Sequence, residues 1–261
     1  MLLKNKNAVI YGAGGAVGSA VARAFASEGA NVFLAGRTLG NVEAIAQEIS
    51  ASGGVAEAAQ IDAMDEQAVE EHIGNVVERA GSIDILFNAI GMQDVQGKPL
   101  TQMSLDDFAR PITIATRTQY TTARAVARYM IKQSSGVIMT ITAGPARRAF
   151  PNVGGYDVAC AAIEALWRTF AAELGPYDVR LVVVGSAGSP DALDVQETIK
   201  VHAKATGKSL QEVEADFGSS TLLKRLPRLV EVASAATIMA SDYASAMTAV
   251  IANVTCGYIV D

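Results

Sequence analysis

The sequence predicts an α/β fold: one doubly wound parallel sheet, a Rossmann-type single domain. Short β-branched runs alternate with longer Ala-rich stretches of helical period along the 261 residues. The strand-like runs are apolar on both faces, as strands covered by helices on both sides must be. A glycine-rich run, "YGAGGAVG" at 11–18, stands between the first strand and the first helix, where doubly wound folds place a phosphate-binding turn.

The elements follow in order. "NAVIY" (7–11) reads as a buried strand, and 16–29 as a helix with Ala20, Ala24 and Phe25 on one face. "NVFLAG" (31–36) is the second strand, with a helix over 39–51. "VAEAAQID" (55–62) is the third, followed by a helix over 65–79, and "IDILFN" (83–88) the fourth. A long helical region spans roughly 104–132, with Pro111 near its start, where proline can bend a helix. "GVIMTIT" (136–142) is the fifth strand, a helix over 157–174 follows, and "VRLVVVG" (179–185) is the sixth strand. Residues 186–225 contain two short amphipathic helices, expected to form a substrate lid. A helix over 228–241 and a strand, "AVIANV" (249–254), close the chain. Neither repeats nor a linker interrupt this order.

Composition narrows the function. Half the residues are apolar and the net charge is −6 without a basic cluster, so nucleic acid is not an expected partner. No apolar run approaches the ~20 residues that span a bilayer, and the N-terminus lacks the h-region of a signal peptide. Two distant cysteines, Cys160 and Cys256, suggest neither a disulfide framework nor a metal site, and a reducing cytoplasm is the expected setting. His72 and His202 stand in charged, helix-like surroundings and are expected at the surface.

The glycine run carries the first functional reading. Gly12 ends the strand in a tight turn, Gly14 and Gly15 let a ligand approach the backbone, and Gly18 lets the helix pack on the sheet. The helix opening at Ala16 and Val17 offers free N–H groups and a partial positive charge to a pyrophosphate. At the end of the second strand, where a carboxylate would hold a ribose hydroxyl, the chain has Gly36 followed by Arg37 and Thr38. Arg37 can grip a 2′-phosphate through charge-assisted contacts, and Thr38 can add a hydroxyl, so NADP (NADPH) is favoured over NAD. Asp62 either accepts from the adenine amino group or caps the next helix.

These residues resemble the short-chain dehydrogenases/reductases over essentially the whole chain. The family's Thr-Gly-x-x-x-Gly-x-Gly loop is matched by "YGAGGAVG", with Tyr11 for the threonine and Ala16 for the middle glycine. Its Asn-Asn-Ala-Gly is matched by "NAIG" (88–91), which keeps Asn88 and Gly91, and the last helix and strand also look like the family's. The resemblance implies an oxidoreductase acting on a small carbonyl or alcohol, assembled as a homo-oligomer (dimer or tetramer) through its long fourth and fifth helices.

It also implies four catalytic side chains: a tyrosine, a lysine four residues later, a serine about thirteen residues earlier, and an asparagine in the fourth helix. Tyr156 stands at the first position, Cys160 at the lysine, Ala143 (beside Thr142) at the serine, and Ala115 or Thr116 at the asparagine. The family's Pro-Gly after the sixth strand appears as Ser186-Ala187. The nucleotide side is thus kept while the reactive side is rebuilt. A free phenol, of pKa about 10, is a poor base without a nearby cation, but in the reducing direction a neutral Tyr156 suffices as proton donor. Thr142 either polarises the carbonyl or is a buried strand residue bonded to its own sheet. Arg147 or Arg148 either supplies the missing charge, or grips an acidic substrate, or both are solvated. Cys160 reads as a small buried residue rather than a nucleophile. The expected function is an NADP(H)-dependent oxidoreductase with Tyr156 and Thr142 at its centre. A non-catalytic NADP(H)-binding module of the same fold is the alternative, and an enoyl-type reductase ranks last because no lysine follows Tyr156 on its helix. Residues 92–103 and 186–225 should border the substrate.

Overall fold

In a computed structural model, which describes residues 1–260 and Pro145 by its backbone alone, strands and helices alternate as expected. The strands are β1 (Asn7–Tyr11), β2 (Asn31–Gly36), β3 (Val55–Gln60), β4 (Ile85–Asn88), β5 (Gly136–Ala143), β6 (Val179–Ser186) and β7 (Val250–Val254). The helices are α1 (Ala16–Ser27), α2 (Leu39–Ala51), α3 (Glu66–Ala80), α4 (Leu105–Gln133), α5 (Tyr156–Leu174), α6 (Leu193–Thr206), α7 (Leu210–Ser219) and α8 (Leu229–Ala240). All strand pairs are parallel, in the order β3-β2-β1-β4-β5-β6-β7. Strand order reverses between β1 and β4, and at such a switch point the carboxyl ends of the strands open a crevice.

Two cores, one on each face, hold the layers. Val9, Leu86, Ile138 and Leu181 meet α3, α4 and α5 on one face, where Ile73, Val126 and Trp167 are buried. Ile10, Leu34, Phe87 and Val184 meet α1, α2 and α8 on the other. Alternation of side chains along each strand sends neighbours to opposite layers, and both layers are apolar. No described helix is long and apolar enough to cross a membrane.

Several boundaries differ from the sequence reading for local reasons. β3 stops before Asp62, whose Oδ1 accepts from the Met64 amide at 3.0 Å and turns the chain. β4 starts at Ile85 because the Asp84 carboxylate accepts from the Asn7 amide at 2.8 Å, tying the strand ends together from the side. α4 runs through Pro111 without interruption.

Both histidines expected at the surface are buried, His72 at 6% exposure and His202 at 4%. His72 shares the inner face of α3 with Val69, Ile73 and Val76, and its Nδ1 is hydrogen-bonded to the Tyr11 hydroxyl at 2.9 Å. Burial lowers its pKa to about 4, so it stays neutral. His202 lies inward on α6 with Ile199 and Ala203. The charged neighbours in sequence occupy the outer faces of the same helices.

Candidate active site

The crevice at the carboxyl end of β1 is a cavity of about 250 Å³ lined by Gly12, Gly14, Gly15, Arg37, Thr38, Asp62 and Gly91, among others. The loop after β1 requires glycine at two positions for steric reasons. Gly12 has φ +74°, and a Cβ there would lie 2.3 Å from the Ala89 carbonyl oxygen. A Cβ on Gly18 would lie 2.3 Å from the Gly12 oxygen, so Gly18 sets how closely α1 approaches the loop. Gly15 is the N-cap of α1 and no side chain caps the helix, which leaves first-turn N–H groups beside the cavity for an anion. Ala16, Val17 and Gly18 form this first turn and do not line the cavity.

The far side of the cavity, where the sequence reading expects the adenosine, is built by the ends of β2 and β3. Arg37 and Thr38 are exposed and line the cavity, and the Arg37 guanidinium has no ion pair among the described residues. Gln60 Nε2 donates to the Arg37 carbonyl oxygen at 3.0 Å and fixes the backbone there. Of the two roles open to Asp62, the helix cap falls to Asp65, whose side chain accepts from the Ala68 amide. Asp62 remains on the cavity wall. Asn88 is fully buried. Its Nδ2 donates to Thr122 Oγ1 at 2.8 Å and its Oδ1 accepts from the Ile90 amide at 3.3 Å, so it shapes the loop that presents Ala89, Ile90 and Gly91. Tyr11, Asn41, Gln93 and Thr118 also line this cavity. Asn41 had a legible signal, one turn into the helix behind Thr38; the others arrive through tertiary packing.

A second cavity, of about 210 Å³, takes over along the same loop: Gln93 lines the first and Asp94 the second. Tyr156 stands in its wall with Ala143, Ala187 and Gly188, the ends of β5 and β6. The two-helix segment closes it with Asp194, Val195, Thr198, His202 and Phe217. Both stretches expected to border the substrate contribute to this wall.

The chemistry of Tyr156 follows from its surroundings. Burial raises its phenol well above the ordinary value; the Cys160 thiol and the carboxylates of Asp94 and Asp194 push the same way. Cys160, one turn along α5, is fully buried, and burial pushes its thiol up to about 12. The pair is therefore neutral across the physiological range: a phenol that can give a proton and a thiol that is no nucleophile. Thr142 is 3% exposed and is absent from the lining of either cavity. Its hydroxyl donates not to its own sheet but to Glu164 Oε1 on α5, at 3.2 Å. Arg147 Nε approaches Glu164 Oε2 at 3.4 Å. Arg148 donates to the carbonyl oxygens of Tyr258 and Ser220 at 3.2 and 3.5 Å and lies 4.5 Å over the Tyr258 ring. Both arginines are engaged with protein groups, and neither lines the Tyr156 cavity.

Comparison with known proteins places this geometry. A family model described as enoyl-(acyl carrier protein) reductase, of the short-chain dehydrogenase class, matches residues 12–259. An uncharacterized oxidoreductase, YxbG of Bacillus subtilis, is 29% identical over 250 residues, covering 94% of this chain and 88% of that protein. Among solved structures, NAD⁺-bound xylitol dehydrogenase superposes with a TM-score of 0.92 at 27% identity, covering 98% of both chains. A 7α-hydroxysteroid dehydrogenase complexed with NADH and 7-oxo glycochenodeoxycholic acid superposes with 0.87 at 28% identity, covering 99% of this chain and 96% of that one. With a glycine-rich crevice at the sheet's switch point, a tyrosine in the adjoining cavity, and a family model matched from the first loop to the last strand, the chain belongs to the short-chain dehydrogenase/reductase family of oxidoreductases.

Proposed function

We propose that the protein reduces a small carbonyl compound with NADPH, using Tyr156 as proton donor in an active site that works without a lysine. The observation that carries this reading is Tyr156 itself: a half-buried phenol, held protonated, in the wall of a cavity next to the nucleotide crevice. The cofactor would supply the hydride. Backbone amides at Gly15 and the first turn of α1 would hold its diphosphate, and the unpaired Arg37 would hold a 2′-phosphate. Tyr156 gives its proton to the carbonyl oxygen as negative charge develops there. Cys160 supplies no cation, so the reverse reaction, which needs a phenolate, is disfavoured. Thr142, committed to Glu164 beneath the cavity, positions α5 and does not touch the substrate.

That same commitment, with Ala143 apolar beside it, also favours a second reading: a module that binds NADP(H) without turnover. Fluorescence titration with NADPH, followed by assay against a panel of ketones, quinones and enoyl thioesters, separates the two. We expect binding, turnover of a ketone, and loss of about a hundredfold or more in kcat/KM for Tyr156→Phe, the scale of general acid catalysis. Binding without any turnover supports the module. Absence of NADPH binding overturns both.

We further propose assembly as a homo-oligomer through α4 and α5, where exposed Tyr120 stacks on Phe170 across the two helices. Light scattering that gives a monomer overturns this.

A further inference from the structure

Resting on the reading of the Tyr156 cavity as the substrate site, we propose that this cavity selects carbonyl compounds bearing a positively charged nitrogen, held between Asp94 and Asp194. The cavity is identified by Tyr156; its wall then specifies the ligand. That wall contains two carboxylates and neither lysine nor arginine. Its one basic side chain, His202, is disfavoured as a cation by burial.

The two carboxylates come from different elements of the lining. Asp94 belongs to the loop after β4, and Asp194 to the first turn of α6. Neither has an ion pair among the described residues. Asp194 is exposed, and its side chain accepts no hydrogen bond from the described residues; the N-terminus of α6 favours its charge.

Asp94 is held in place. Its Oδ2 accepts from Gln96 Nε2 at 2.7 Å, and Gln96 Oε1 accepts from His202 Nε2 at 2.9 Å. His202 is in turn wedged edge-on between the Phe150 and Phe217 rings, at centroid distances of 5.6 and 6.0 Å. A relay of one loop glutamine and one lid histidine thus aims a carboxylate from outside the reacting pair. Pre-aimed carboxylates recognise a cation without ordering cost at the moment of binding.

The aromatic groups agree. Phe150 and Phe217 line the cavity as a tilted pair 5.4 Å apart, and aromatic faces attract ammonium groups. Tyr258 also lines it, with Arg148 over its ring. An acidic substrate would meet two like charges with no cation in the lining to offset them, which is discrimination by repulsion. The expectation that Arg147 or Arg148 grips an acidic substrate has no support from the lining.

The experiment uses three ketones of similar size: N-methylpiperidone, its carbon isostere methylcyclohexanone, and the anion oxocyclohexanecarboxylate. Turnover with NADPH and direct binding by calorimetry in the presence of NADP⁺ are both read. The amine is expected to exceed the isostere by about tenfold or more in kcat/KM and in affinity, with the carboxylate weakest, a difference of one well-placed charge contact. Asp94→Asn and Asp194→Asn should each shrink the amine-to-isostere ratio by about three- to tenfold. Gln96→Leu, which leaves both carboxylates in place, should shrink it through lost aiming. Equal binding of amine and isostere, or ratios unmoved in folded Asp94 and Asp194 variants, overturns the inference whatever the turnover. Amine-selective binding with no turnover of any ketone leaves the inference standing and overturns the reductase reading instead.

Discussion

Thr142 Oγ1 donates to Glu164 Oε1 at 3.2 Å, joining β5 to α5 beneath the active-site wall. Glu164 is 6% exposed and lies two helical turns beyond Tyr156, with Cys160 midway, so one face of α5 carries phenol, thiol and carboxylate in register. Removing the carboxylate strands the Thr142 hydroxyl and withdraws a partner of Arg147. Glu164→Ala is expected to cost about 2–3 kcal/mol in urea unfolding, as for a buried polar group left unpaired. Glu164→Gln, which still accepts from Thr142, should cost less than half of that. Equal costs for the two variants would show that the carboxylate, not the hydrogen bond, matters.

Cys160→Lys should change a pH profile. In the native protein the Tyr156 phenol stays protonated, so carbonyl reduction should show no alkaline decline up to about pH 10, the ordinary phenol range. A lysine ammonium one turn away favours the phenolate. The variant should then lose reductive rate on the alkaline side and gain alcohol oxidation there. Stopped-flow rates in both directions read this, and a folded variant with an unchanged profile would argue against proton donation by Tyr156.

Arg37→Ala should discriminate between nucleotides. A charge-assisted contact to a phosphate contributes about 1.5–3 kcal/mol. NADPH affinity is expected to fall about tenfold to a hundredfold, with NADH affinity changed less than about threefold. Parallel loss for both nucleotides would place Arg37 elsewhere than at a 2′-phosphate.

The glycine-rich loop makes a contrast within four residues. At Gly18 a Cβ would stand 2.3 Å from the Gly12 oxygen, whereas at Gly15 the same contact is 3.4 Å. Gly18→Ala should lower thermal stability and weaken NADPH binding together. Gly15→Ala should fold normally, and any loss it shows should be confined to binding. Calorimetry with and without NADPH separates the two effects.

Acid should destabilise the protein through His72. Its folded pKa, about 4, lies below the ordinary value of about 6.5. Between these two values the unfolded chain binds the proton and the folded one does not, so stability falls as pH drops through this window. The full difference amounts to about 3 kcal/mol for a buried imidazole. His72→Gln should flatten that part of the unfolding-versus-pH curve, measured by chemical denaturation from pH 7 to pH 4.

The fold was legible because its signals are local. Strands such as β6 carry a continuous apolar run, Leu181 to Val184, and the steric demand at Gly18 acts within the loop itself. The same holds for Arg37, whose place after β2 is set by strand register. What escaped the sequence depends on which way a side chain turns. Asn88 stands in a recognisable motif, yet its amide serves Thr122 and the loop backbone. His72 and His202 have charged sequence neighbours, but the helical period sends those outward and the histidines inward. The Thr142–Glu164 and Asp94–Gln96–His202 links join residues up to 106 positions apart, a distance no spacing rule spans.

The small cluster of Ile199, Ala203 and Val213, with Val195 and Phe217 against it, gives α6 and α7 a hydrophobic centre separate from the two main layers. A segment with an apolar centre of its own can change its outward residues without emptying the two main layers. Its surface toward Tyr156 can change without altering the first turn of α1, which lies on another part of the chain. Substrate repertoire and nucleotide affinity are thereby free to diversify on independent schedules within one polypeptide.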